Sequence, residues 1–102
     1  MPGKKEKLIA VENINHPGQI KYLSADMHHA MKRAFLKILP DRTPGLTLDE
    51  IQERILAELP DRLYPDGAKA GWWAKTVQLD LEAKAIICRE KSKPLRLHKA
   101  AR

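Results

Sequence analysis

The segment from Gly71 to Ile87, which reads G-W-W-A-K-T-V-Q-L-D-L-E-A-K-A-I-I, constrains the fold more than any other part of the chain. At about 100° per residue, its apolar side chains fall on one continuous stripe of a helix, which consists of Ala70, Trp73, Ala74, Val77 and Leu81. The opposite side carries a mixed set that consists of Trp72, Lys75, Thr76 and Leu79. The pattern predicts a helix over roughly Ala68–Lys84 that buries Trp73 in a core and presents Trp72 outward.

The sequence after this helix changes to the pattern of short strands. Ile86–Glu90 and Leu95–His98 are predicted to pair as a C-terminal hairpin, with Lys91-Ser92-Lys93-Pro94 at its tip. Proline has no backbone donor, so Pro94 is compatible with an edge or a turn. We therefore expect a helix that passes almost directly into a basic hairpin.

Two further helices are predicted before this one. Ser24 is a suitable N-cap for a first helix that runs to about Leu39, where Pro40 interrupts it. Thr47-Leu48-Asp49-Glu50 has the capping-box pattern and starts a second helix that ends at Pro60. The apolar residues that recur at helical spacing are predicted to face the core: Met27, Ala30, Met31, Ala34, Phe35 and Ile38 in the first helix, and Leu48, Ile51, Ile55, Leu56 and Leu59 in the second.

The N-terminal part of the chain contains two short apolar runs around a turn. Leu8–Asn13 and Gln19–Leu23 flank Asn15-His16-Pro17-Gly18, in which proline followed by glycine is typical of a type II turn. The pattern predicts a β-hairpin, and an extended arm is the alternative. Met1–Lys7 is a charged lead without periodicity, for which we expect disorder.

The positive charge of the chain is concentrated in its last third. The formal net charge is +6. Residues 1–67 hold ten Lys/Arg and ten Asp/Glu, whereas residues 68–102 hold nine Lys/Arg and three Asp/Glu. Residues 41–66 are locally acidic, with three arginines and seven acids. A basic segment of this kind is either a solvated, solubilising surface or an electrostatic contact for phosphate.

Length and composition favour one soluble domain. The 102 residues are close to the commonest domain size. We divide them into an N-terminal arm (1–23), a folded domain (24–99) and a basic tail (100–102). No apolar run approaches the ~18 residues that a membrane-crossing helix needs, and a single cysteine, Cys88, fits a reducing compartment. The expected location is the cytoplasm, without a membrane partner.

Three helices followed by a two-stranded basic hairpin resemble the winged helix-turn-helix superfamily, over Ser24–Lys99. The resemblance is carried by L-E-A-K-A-I-I (Leu81–Ile87), although many members have glycine at the position of Ala85. The block W-W-A-K-T-V-Q-L-D-L-E-A-K (Trp72–Lys84), with P-G-L-T (Pro44–Thr47), also looks like a small bacterial family that has no established activity. The predicted fold class is α+β, a three-helix winged helix-turn-helix with a C-terminal wing and a short N-terminal hairpin or extended segment.

The resemblance implies binding of double-stranded DNA, with the third helix in the major groove and the wing on phosphates. The predicted contacts to bases come from the outer side of the third helix, which carries Trp72, Lys75 and Thr76, with Lys69 and Gln78 at its margins. The predicted contacts to phosphate come from the wing, which carries Arg89, Lys91, Lys93 and Arg96, and could extend to Lys99 and Arg102.

Two features favour a protein partner instead. The second helix begins with Asp49, Glu50 and Glu53, which phosphate would repel. Trp72 and Leu79 are more apolar than most residues that read bases, and an exposed aromatic residue is typical of a protein-binding hot spot. The alternative function is therefore a protein–protein interaction or dimerisation module that uses the Trp72 face.

The sequence does not favour an enzyme, a metal site or a cofactor. Asp80 and Glu82 are two residues apart on a helix, so they do not face each other as an acid–base pair. His28 and His29 are adjacent, so their side chains diverge by about 100° and cannot chelate one ion together. Cys88 is expected to pack inward on a strand rather than to act as a nucleophile.

Overall fold

Three helices and two small sheets form an α+β fold over residues 7–100, which are the residues that this computed structural model describes. The elements are strands β1 (Leu8–Val11) and β2 (Lys21–Ser24), helix α1 (Ala25–Ile38), strand β3 (Leu46–Thr47), helix α2 (Leu48–Ile55), helix α3 (Ala70–Ala83), and strands β4 (Ile87–Glu90) and β5 (Arg96–Lys99). The predicted α+β class, with three helices and a β-hairpin at each end, is confirmed. Most of the predicted disordered lead and the tail residue Arg102 lie outside the described residues.

Helix α1 begins and ends where its sequence predicts. The Ser24 hydroxyl accepts a hydrogen bond from the Met27 amide at 3.3 Å, which satisfies one of the free donors of the first turn. The helix stops before Leu39, which is extended. Its core face is fully buried at Ala30, Met31, Ala34 and Phe35, while Met27 and Ile38 are half-buried at its margins.

Helix α2 has the predicted capping box. The Thr47 hydroxyl accepts from the Glu50 amide at 3.2 Å, and the Glu50 carboxylate accepts from the Thr47 amide at 2.8 Å. The α-helix ends at Ile55 and continues only as a short 3₁₀ turn to Glu58. The prediction that Leu48 and Leu56 face inward is wrong, since both are exposed. Leu48 is the first residue of the helix, and Leu56 lies about 100° around the helix from buried Ile55.

Helix α3 buries the predicted stripe. Trp73 is 7% exposed and Val77 is fully buried, whereas Trp72 is 53% exposed. The two indole rings meet edge to face, with their centroids 5.2 Å apart. The second half of the helix is buried more widely than the stripe predicts, because Gln78, Leu79, Asp80 and Glu82 are buried as well. The outward position predicted for Leu79 is therefore wrong.

Helix α3 ends in a left-handed turn at a residue that is not glycine. Ala85 has φ 59°, the Ala85 amide donates to the Glu82 carbonyl at 3.0 Å, and the Ile86 amide donates to the Leu81 carbonyl at 2.8 Å. These two bonds form a Schellman motif, in which glycine is the usual residue at the left-handed position. The turn directs the chain from α3 straight into β4.

One sheet is the N-terminal hairpin, and the other joins the C-terminal hairpin to β3 from the middle of the chain. In the larger sheet, β5 lies between β3 and β4 and is antiparallel to both. A side chain at Gly45 would collide with the Leu97 carbonyl, so the approach to β3 needs a glycine. The smaller sheet is the β1–β2 hairpin, whose Pro17-Gly18 turn has the φ of 88° at Gly18 that a type II turn requires. Among residues 7–100, no helix is long and apolar enough to cross a membrane.

We expect Ala85→Gly to stabilise the protein by about 0.5–1 kcal/mol. Left-handed backbone costs an alanine roughly 1–2 kcal/mol, while the greater freedom of glycine in the unfolded chain offsets part of the gain. The measurement is the free energy of unfolding from urea denaturation. The control is Ala83→Gly, which should destabilise by about 0.5–1 kcal/mol because residue 83 is helical. Equal destabilisation by both variants would contradict the assignment of strain to Ala85.

Candidate nucleic-acid interface

The first half of helix α3 is the exposed part of the predicted DNA-reading surface. Lys69, Trp72 and Lys75 are exposed on its first two turns. The helix begins after Lys69, whose φ of 65° sets the entry of the chain. These three side chains form a surface with two positive charges around one indole.

The second half of the same side of α3 is covered by the N-terminal hairpin. Thr76 is half-buried, and it lines a small cavity with Leu79 against residues of the β1–β2 hairpin. The Ile14 amide also donates to the Leu79 carbonyl at 3.3 Å. The sequence pattern does not predict that the N-terminal arm covers this part of α3. The available signal is Leu79, an apolar residue on the same side of the helix as Lys75 and Thr76.

Two of the predicted site residues, buried Gln78 and exposed Arg89, bind the same buried carboxylate. The Arg89 guanidinium contacts both oxygens of Glu82, at 2.7 and 3.1 Å. The Gln78 amide donates to the same carboxylate at 2.9 Å, and Gln78 is 8% exposed. The hydrogen bond to Glu82 raises the pKa of Arg89 above its already high ordinary value. Gln78 and Arg89 therefore connect α3 and strand β4 through Glu82. The prediction that Gln78 lies at the margin of an exposed surface is wrong, because Gln78 is buried.

Arg96 is engaged in the same way on the other side of the wing. Its Nη1 donates to the Gly45 carbonyl at 2.9 Å and lies 3.6 Å from a carboxylate oxygen of Glu50. Glu90 completes the arrangement, because its Oε2 accepts from the Gly45 amide and contacts His98 Nδ1, both at 2.7 Å. The wing is thus tied to the segment that starts α2.

The ion pairs divide the cations of residues 68–100 into two groups. Lys84 pairs with Asp80, Arg89 with Glu82, Arg96 with Glu50, and Lys99 with Asp41. The cations without an ion pair among the described residues are Lys69, Lys75, Lys91 and Lys93. Within residues 68–100, the unpaired positive charge therefore consists of two lysines at the exposed start of α3 and two at the tip of the hairpin, where both are exposed.

A buried carboxylate on α3 holds the N-terminal hairpin in place. The Asp80 side chain is fully buried and accepts from the Glu12 amide at 2.8 Å and from His28 Nε2 at 2.7 Å. Lys84 Nζ lies 2.9 Å from the same carboxylate and donates to the Ala10 carbonyl at 3.3 Å. Asp80 thus joins α3 to α1 and to the chain that follows β1.

The protonation states in this cluster follow from burial and hydrogen bonding. Burial raises the pKa of Asp80, but the hydrogen bonds from Glu12, Lys84 and His28 together outweigh it, and the pKa lies below its usual range. Burial lowers the pKa of His28 and outweighs the attraction of Asp80, which raises it. His28 Nδ1 is buried and has no hydrogen-bond partner among residues 7–100. Neutral His28 therefore donates through Nε2 to ionised Asp80.

Asp80 and Glu82 do not face each other. Asp80 and Glu82 point to different partners, the first toward the N-terminal hairpin and the second toward the wing. Within residues 7–100, no group of three or more histidine, cysteine, aspartate or glutamate residues could hold a metal ion. His28 is buried and pairs with Asp80.

We expect the protein to lose stability as the pH falls below about 6.5, the ordinary pKa of histidine. Below that pH the unfolded chain protonates residue 28, while the folded state resists because the pKa of His28 is lowered. The free energy of unfolding should therefore be smaller at pH 5.5 than at pH 7.5. His28→Gln should reduce this difference, whereas His29→Gln, a change at the exposed neighbour, should preserve it. The same pH dependence in both variants would contradict this role of His28.

Comparisons with known proteins place the chain in a family without a described activity. A family model described as a family of unknown function, DUF6958, matches residues 8–97. Searches of curated proteins and of solved structures gave no match. The matched range begins with β1 and ends within β5, so it includes both hairpins and all three helices. The chain belongs to the DUF6958 family.

Proposed function

We propose that this chain is a winged helix-turn-helix protein that binds double-stranded DNA through helix α3 and the β4–β5 wing. The observation that carries the proposal is the position of four lysines without an ion pair among the described residues. Lys69 and Lys75 lie on the exposed half of α3, and Lys91 and Lys93 lie on the hairpin that follows it. Lysines on a helix and an adjacent hairpin suit a duplex, which presents phosphates on both sides of a groove.

The order of the elements supports this assignment. Helix α1, strand β3, helices α2 and α3, and strands β4 and β5 follow one another, and β5 lies between β3 and β4. This order resembles the winged helix-turn-helix superfamily, in which a helix enters the major groove and the wing contacts the backbone. Because fold alone does not fix function, the proposal depends on the lysines rather than on the topology.

The first two turns of α3 are the part that would meet base edges. Lys75 can donate to guanine, and Trp72 can stack or contact a thymine methyl group. Thr76 lies beside the N-terminal hairpin and Gln78 is buried, so neither carries the reading surface. The wing lysines would contact phosphate, which supplies affinity without sequence information.

The acidic start of α2 sets the direction of approach. The Glu50 carboxylate caps the helix and lies near Arg96, so its charge is partly compensated. Asp49 and Glu53 are exposed and form no ion pair among the described residues. These two charges repel phosphate, so the duplex would approach over α3 and the wing rather than over the start of α2.

The test is the affinity for a generic duplex as a function of salt concentration. Four phosphate contacts predict a slope of log K against log salt of about −3 to −4. The double variant K91Q/K93Q should reduce the magnitude of the slope by about 2 and weaken binding to all sequences alike. Lys37→Gln is the matched control, because Lys37 is an exposed α1 cation paired with Glu58. Absence of binding at low salt, or a flat salt dependence, would overturn the proposal.

A second candidate is a protein–protein or dimerisation module that uses the Trp72 face. The observation that favours it is the 53% exposure of Trp72, since a half-exposed indole is costly to leave in water and is common at the centre of interfaces. The adjacent Lys69 and Lys75 would surround the indole with a polar rim. In this case DNA binding is absent and the partner covers the start of α3.

The two tryptophans provide a matched pair of variants for this second candidate. Trp72→Ala should abolish any dimer, measured by sedimentation, and change the free energy of unfolding by less than about 1 kcal/mol. Trp73→Ala should cost roughly 3–5 kcal/mol, because it leaves a cavity in the core. A dimer that survives Trp72→Ala would contradict the use of this face. A large loss of stability in that variant would contradict the outward position of Trp72.

A further inference from the structure

A cleft of about 260 Å³ lies between helices α2 and α3, the wing and the loop that connects β1 to β2. Of the four lysines in residues 68–100 that form no ion pair within the described residues, only Lys75 lines this cleft. The cleft lies where four parts of the chain meet, which is a common location for ligand sites.

The inner wall of the cleft is apolar and rigid. Phe35, Ile51 and Ala74 form its floor from three helices, and all three are almost completely buried in the core, so the apolar surface that a ligand can reach comes mainly from Leu48. Leu79 closes the cleft on the side of the N-terminal hairpin, and Leu48 is an exposed apolar residue of its lining. The wall therefore favours an apolar group over water.

The polar residues of the cleft favour a negative charge. Lys75 contributes a cation without an ion pair among residues 7–100. Glu82 compensates the charge of Arg89, so Arg89 contributes hydrogen-bond donors rather than a second free charge. Glu82 binds the Arg89 guanidinium through two of its donors and holds it in place, while the remaining donors have no acceptor among residues 7–100. Asn15 and Gln52 add neutral amides, which can donate to an anion.

We propose that this cleft binds a small amphipathic carboxylate, with the carboxylate at Lys75 and Arg89 and a compact apolar group against Phe35, Ile51 and Ala74. Both parts of the lining are needed for this choice, because cations alone would accept any anion and an apolar wall alone would accept a neutral molecule. The volume is below the about 300–1,000 Å³ of pockets for drug-sized ligands. The ligand is therefore limited to one ring or a short branched chain beside its carboxylate.

This inference goes beyond the proposed DNA binding and is tested without DNA. Failure of duplex binding leaves the carboxylate site unaffected, and failure of carboxylate binding leaves the duplex proposal unaffected. If both hold, Lys75 is shared, so the carboxylate should weaken duplex binding.

The experiment is a titration of ¹⁵N-labelled protein with phenylacetate, phenylacetamide and inorganic phosphate, followed by amide chemical shifts. We expect phenylacetate to saturate with a Kd at or below about 1 mM and to shift the amides of Ala74, Gln78 and Arg89. Phenylacetamide and phosphate should each bind at least about tenfold more weakly, because each lacks one of the two matched parts. Equal binding of either molecule, shifts confined to another surface, or no saturable response to phenylacetate would overturn the proposal.

Two matched pairs of variants locate the contacts. Lys75→Gln should weaken phenylacetate binding about tenfold, which corresponds to one charge-assisted hydrogen bond, whereas Lys69→Gln removes an exposed α3 cation outside the lining and should have no effect. Leu48→Ala should weaken binding about threefold through lost apolar contact, whereas Leu56→Ala changes an exposed leucine outside the lining and should not. Equal effects within either pair would overturn the placement of the ligand in this cleft.

Discussion

The fold depends on one buried charge, the carboxylate of Asp80. An ionised group without water is costly unless it is fully hydrogen-bonded, and here the Glu12 amide, His28 and Lys84 supply the partners. These partners come from α1, from the end of the N-terminal hairpin and from the last turn of α3. Two residues further on, Glu82 binds Arg89 of the wing. Helix α3 therefore holds both hairpins in place. A partner can reach only the part of α3 that these two contacts leave exposed.

Much of the fold could be predicted from the sequence, because it follows from local chemistry. The stripe that buries Trp73, the Ser24 cap and the Thr47–Glu50 capping box each depend on residues within one or two helical turns. The left-handed end at Ala85 is different, since alanine gives no sign of it. This turn leads the chain from α3 into β4 within a few residues. The early end of α2 and the exposure of Leu56 also depend on tertiary packing, which the spacing of apolar residues in the sequence does not show.

The candidate site could be predicted in part. The location of the positive charge in the last third of the chain follows from counting residues, but the division into paired and unpaired cations does not. Arg89 pairs with Glu82, and Arg96 contacts Glu50 and the Gly45 carbonyl. These contacts form only because the wing folds back on α3 and on the start of α2. Leu79 and Gln78 are covered for the same reason, since contacts between segments distant in sequence decide their burial. What remains exposed on α3 is the part that precedes these contacts.

The spacing of Asp80 and Glu82 has a consequence for how this helix can change in evolution. Two residues correspond to about 200° of rotation and about 3 Å of rise, so the carboxylates leave the helix on nearly opposite sides at nearly the same height. One residue inserted between Val77 and Asp80 would turn both by about 100° and release both hairpins together. The number of residues between Val77 and Glu82 is therefore fixed by the two attachments.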